Sequence, residues 1–134
     1  MSGYSRVSSV AAYQSAAAHG GVAAADPHGL IVMLMDGALE RIRAARGCID
    51  RGDTAEKARL LHRCVSIIAE LRGSLDMNAG GQISGNLSEL YDYMNRRLLV
   101  ASSENLSEPL EEVSALLNEI RAAWVAIPAG IRHR

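Results

Sequence analysis

Large apolar residues recur at helical spacing along most of the chain, and the breaks in that rhythm fall at Asp, Gly and Pro. Ile31, Leu34, Ala38, Ile42, Ala45 and Ile49 make one stripe, with Leu30, Met33 and Gly37 forming a second strip beside it. Asp26-Pro27 opens this run, because Asp accepts from orphan N–H groups and Pro fits the first helical position. The helix is expected to reach about residue 50 and to end at Gly52. Asp53-Thr54-Ala55-Glu56 then resembles a capping box, with Asp in the Ser/Thr role. A second helix is expected over 53–78. Leu61, Val65, Ile68 and Leu75 form its core face, and Leu60, Cys64, Ile67 and Leu71 an adjacent strip.

Asn78-Ala79-Gly80-Gly81 reads as a stop. The third helix is expected over about 83–102, with Ile83, Leu87, Leu90, Met94, Leu98 and Ala101 inward and Tyr91 on the flank. Ser107 with Pro109 opens a fourth, whose Leu110, Val113, Leu117, Ile120, Trp124 and Ile127 alternate spacings of three and four; Pro128 and Gly130 stop it. Short connections force antiparallel neighbours. The pattern therefore predicts an all-α fold, an antiparallel up-down four-helix bundle over 26–128 followed by a frayed tail over 129–134.

Residues 1–25 differ, being rich in Ala, Ser and Gly and broken at Gly20-Gly21. This reads as a flexible N-terminal arm with a short capping helix, since Tyr4, Val7, Val10 and Tyr13 recur every third residue. So short a helix needs a surface to dock on.

Composition supports helix packed on helix: aromatics are 4% of residues, Phe is absent, and 49% of the chain is hydrophobic. The 14 basic and 15 acidic residues give a formal charge of −1, so nucleic acid is an unexpected partner. No apolar run approaches the length of a membrane span and no signal peptide is evident, so the expectation is a cytoplasmic protein without membrane insertion. Cys48 and Cys64 lie outside any Cys-x-x-Cys pattern. With a turn near Gly52, Cys64 falls about 19 Å down the next helix at 1.5 Å per residue, so both are read as reduced thiols.

Candidate chemistry is sparse. No Glu-x-x-His motif is present, so no metal or other cofactor is expected. His28 sits in a first helical turn and reads as structural. His62 could suggest a phosphotransfer bundle, but Val65 and Ser66 stand where a supporting Lys and a Gly are needed. Asp36 and Glu40, four apart, project with Arg43 from the polar face of the first helix and read as solvated charge. Gly80-Gly81 lacks the Lys-Ser/Thr of a phosphate loop. No catalytic function is expected. What stands out is apolar surface: the first two helices each carry nearly two stripes where a bundle needs one. That surplus fits a groove for another polypeptide, which the arm could cover, or an interface in a self-assembling bundle.

Several blocks together resemble the FliS family of flagellin export chaperones. They are Tyr13-Gln14, Asp26-Pro27-His28-Gly29-Leu30 continuing to Leu39, Gly52-Asp53, Ser74-Leu75-Asp76 before Gly80-Gly81, and Asn86-Leu87 leading to the run Leu90 to Leu98. Asp26 stands where the family usually has Ser or Thr, and Met35 where an aromatic is often found. The resemblance implies binding of the disordered C-terminal segment of flagellin, prevention of its premature polymerisation, and delivery to the flagellar type III export gate. It also implies that Tyr13 belongs to an arm that covers client surface or contacts the gate; Tyr4, Val7 and Val10 join it through their stripe. Leu30, Met33, Ile67, Leu71, Tyr91 and Met94 are the candidate client groove, and Asp92, Arg96 and Arg97 candidate pairs that fix the bundle.

Overall fold

The computed structural model describes residues 26–127, which hold four helices. Helix α1 spans Pro27–Arg51; the Asp26 carboxylate accepts from His28 N–H, and Gly52 closes the helix at φ 73° with its N–H donating to the Cys48 and Ile49 carbonyls. Helix α2 spans Thr54–Gly73, capped by Asp53 Oδ1 accepting from Glu56 N–H at 3.2 Å. Helix α3 spans Met77–Glu104 and α4 spans Glu108–Val125.

Two boundaries differ from the sequence expectation. Helix α2 stops at Gly73 rather than 78, and α3 starts at Met77 rather than 83, because Asp76 acts as an N-cap, accepting from Asn78 and Ala79 N–H. Asn78-Ala79-Gly80 is thus a first turn rather than a stop. Gly81 kinks the helix with φ 55° and ψ −127°, a conformation open to glycine. Just beyond, Ser84 turns inward and its Oγ donates to the Asp76 carbonyl at 3.0 Å. Ile83, expected inward, is therefore displaced to the surface and is 73% exposed. Positions 84, 87, 91, 94, 98 and 101 follow the three-four alternation, which places Tyr91 in the core and Leu90 on the flank, the reverse of the expectation.

Helix α1 packs beside α2 and α4, and α3 completes the ring against the same two. The contacts run in opposite senses along each pair: residue 46 meets 111 while 36 meets 121, and 57 meets 102 while 72 meets 88. The described residues therefore form an antiparallel up-down four-helix bundle.

Among the described helices the α1–α2 pairing is the most extensive. Ala38 and Ala45 let the backbones approach, and the buried Cys64 thiol donates to the Ala38 carbonyl at 3.6 Å. Cys64, Ile67 and Leu71 of the second α2 strip are buried, with Leu60 half-buried beside them. The second stripe of α2 thus widens the shared core, whereas Leu30, Met33 and Gly37 of the second α1 strip lie outside the core cluster. Both cysteines are free and buried, and burial pushes the Cys64 thiol up to about 12.

Candidate functional site

Surplus apolar surface lies on the α2–α3 seam. At one end Arg72 Nε donates to Ser88 Oγ at 2.9 Å, while Asp92 pairs with both Arg72, at 3.9 Å, and Arg96. Midway, Asn95 Nδ2 donates to the Val65 carbonyl at 3.3 Å and fixes the register of the two helices. Beyond it the seam opens into a groove of about 310 Å3 lined by Ala58, Leu61, His62, Val65, Leu98, Leu99 and Ser102. Leu61 and Leu98 form the buried floor, whereas Leu99 stands on the rim at 58% exposure. The far end is closed by Lys57, whose buried ammonium donates to the Ser102 carbonyl and to Asn105 Oδ1, both at 2.9 Å. A cation there complements the last carbonyls of α3.

The α1–α4 seam is built differently. His28 and Trp124 stack at 5.0 Å between ring centroids with an interplanar angle of 8°. His28 Nε2–H donates to the Trp124 carbonyl at 2.6 Å, and Trp124 Nε1–H donates back to the His28 carbonyl at 3.1 Å. Arg121 forks onto Asp36, and Arg46 reaches Glu111 at 3.2 Å. The depression between these pairs is lined by Asp36, Leu39, Glu40, Arg43, Asn118 and Arg121. It is a charged, solvated surface.

Between α3 and α4, Glu112 accepts from Tyr93 O–H at 2.5 Å and from Arg97 Nε at 2.8 Å. Those two bonds hold its carboxyl below the ordinary carboxylate value, and the same contact raises the Tyr93 phenol. Asp92, Arg96 and Arg97 thus make the intrahelical and interhelical pairs their spacing suggests.

Of the candidate client residues, Ile67, Leu71, Tyr91 and Met94 lie in the closed core, Met94 with 0% exposure. Leu30 is buried near the start of α1 and Met33 is half-buried. Burial raises the Tyr91 phenol to about 12. Tyr4, Val7, Val10 and Tyr13 lie outside the described residues, as do Pro128 and the tail. Sequence reasoning missed Leu99 and Ala58. Their signal was an apolar Leu98-Leu99 pair in a helix whose core needs only one of them. The reciprocal His28–Trp124 clasp was also missed, since nothing local connects residues 96 apart.

His62 is exposed on the groove rim. Among the described residues no group of three His, Cys, Asp or Glu side chains is placed to hold a metal ion, and no helix is long and apolar enough to cross a membrane.

A sequence profile of the family described as flagellar protein FliS matches residues 9–130. The flagellar secretion chaperone FliSB of Pseudomonas aeruginosa is 44% identical over 115 residues, covering 86% of this chain and 91% of that protein. The flagellar secretion chaperone FliS of Salmonella typhimurium is 43% identical over 121 residues, 90% of each chain. The Vibrio cholerae protein of the same name is 35% identical over 120 residues, 90% of this chain and 88% of its own length. The chain belongs to the FliS family of flagellar secretion chaperones.

Proposed function

We propose that this protein acts in the cytoplasm, where it binds the disordered C-terminal segment of flagellin, keeps it from polymerising prematurely and helps deliver it to the flagellar export gate. The observation that carries the reading is the α2–α3 groove. A buried leucine floor beside an exposed Leu99 rim gives an amphipathic segment an apolar seat, with charged Arg72, Asp92 and Arg96 further along the same seam. A segment that orders on binding gains contact area at an entropic cost, which leaves release for export feasible. Leu30 and Met33, at the start of α1 next to the arm, add a second client contact at the opposite end of the bundle from the groove, while Ile67, Leu71, Tyr91 and Met94 act through the core that supports it. Tyr4, Val7, Val10 and Tyr13 cover part of this surface or contact the export gate. The working chaperone is a binding protein with no catalytic step, needing neither metal nor cofactor.

Calorimetry with a peptide of roughly the last forty residues of the cognate flagellin tests the reading. Binding tighter than about 100 μM, or about −5.5 kcal/mol, is expected, and no binding at that level contradicts it. Deleting residues 1–25 is expected to leave helicity intact and to tighten or speed client binding. Unchanged binding kinetics would remove the arm from this account.

A further inference from the structure

Helix α4 is held unlike the other three. Asp26, Asp53 and Asp76 each cap their helix through a side-chain bond, whereas Ser107 makes none at the start of α4. Its preceding turn passes through Asn105 in the left-handed region at φ 57°. Successive helices are joined by short turns, but among the described residues no turn links α1 to α4, and their seam is held through side chains bonding to side chains and to backbone carbonyls. Anchorage also falls away along the helix. Near its start Leu110, Val113 and Leu117 are fully buried and Glu112 is tied to Tyr93 and Arg97. Towards its end Ile120 and Trp124 are only half-buried and Val125 is exposed. There the holding contacts are the His28–Trp124 clasp and the exposed Asp36–Arg121 pair.

We propose that the distal half of α4 is a strap that peels from α1 while its Leu110–Leu117 half stays seated, with the His28–Trp124 clasp as its catch, and that this opening regulates client capture. By the register that sets Tyr93 and Arg97 against Glu112, the distal half runs alongside Leu87, an apolar residue already half-buried at the core's edge. Peeling loosens that edge of α3, the helix that also supplies Leu98 and Leu99 to the client groove. Local opening of this kind draws on the least anchored part of a fold. The regulatory step rests on the client reading above; the strap does not.

Native-state hydrogen exchange on the full chain tests the strap. Amides of the distal half of α4 are expected to exchange at least about tenfold faster than those at the centre of α2, and His28→Ala to raise the α4 rates by about threefold or more while α2 is unchanged. Trp124→Phe, which keeps a ring but loses the indole donor, is expected to act in the same direction. Equal exchange of both helices in all three proteins overturns the proposal. For the regulatory step, Asp36→Cys/Arg121→Cys is bridged with a short bismaleimide, the buried Cys48 and Cys64 being shielded. The bridged protein is expected to bind the flagellin peptide at least about tenfold more slowly than the same variant blocked with N-ethylmaleimide. Equal rates overturn the regulation. If the peptide binds no form, wild type included, the client reading fails and takes the regulatory step with it, while exchange alone decides the strap.

Discussion

The two outer seams of this bundle solve the same packing problem with opposite chemistry. On the α1–α4 side, apolar residues stop at the core boundary and the rim is finished with Asp36–Arg121, Arg46–Glu111 and unpaired solvated charge such as Arg43. On the α2–α3 side charge gathers at the Arg72–Asp92–Arg96 end, and at the groove Leu99 stands in water above Leu61 and Leu98, with His62 beside it. A charged rim is what a helix pair adopts when water is its only neighbour. An apolar rim of similar size costs solubility unless something covers it, and that contrast is the basis for proposing the α2–α3 side as the client surface.

The comparison can be broken at several points. Leu98→Ala removes a fully buried side chain from the groove floor and is expected to cost about 2–5 kcal/mol, read by urea denaturation; a loss below about 1 kcal/mol would show that the floor is not continuous with the core. On the opposite seam, Asp36→Asn breaks an exposed pair and is expected to cost at most about 1 kcal/mol, shrinking in high salt. A larger, salt-independent loss would make that seam structural rather than solvated. The smallest effect belongs to Glu112. Because Tyr93 and Arg97 lower its folded value, its stabilisation is present above the ordinary carboxylate range and lost as pH falls through that lowered value. Glu112→Gln should therefore flatten the acid side of the Tm–pH curve and, because the same bond raises the Tyr93 phenol, also remove the stabilisation that is lost as pH rises through the tyrosine range.

Much of this was legible in the residues. Three-four spacing located all four helices, and the Asp caps at 26 and 53 fixed two starts, because those signals are local. The start of α3 was misread because Gly80-Gly81 is locally a stop, whereas Asp76 and the inward Ser84 turn it into a kinked beginning. The same kink moved Ile83 to the surface. The double stripes of the first two helices were visible, but whether a second stripe faces a partner or a neighbouring helix depends on how closely the backbones approach, and for α2 the small Ala38 and Ala45 on α1 accompany a second stripe that lies in the core. The exposed surplus emerged one helix further on, at Leu99, where a single residue beside a core leucine carries no periodic signal. The His28–Trp124 clasp lay beyond sequence reasoning because it joins the first turn of the bundle to the last.

The central claim, that the apolar α2–α3 seam rather than the charged α1–α4 seam receives the client, is tested by one calorimetric series with the flagellin C-terminal peptide. Leu99→Glu, which charges the apolar rim without touching the core, is expected to weaken binding by about tenfold or more at unchanged Tm, while Arg43→Glu binds as wild type. Full affinity in Leu99→Glu, or a loss confined to Arg43→Glu, would contradict the account.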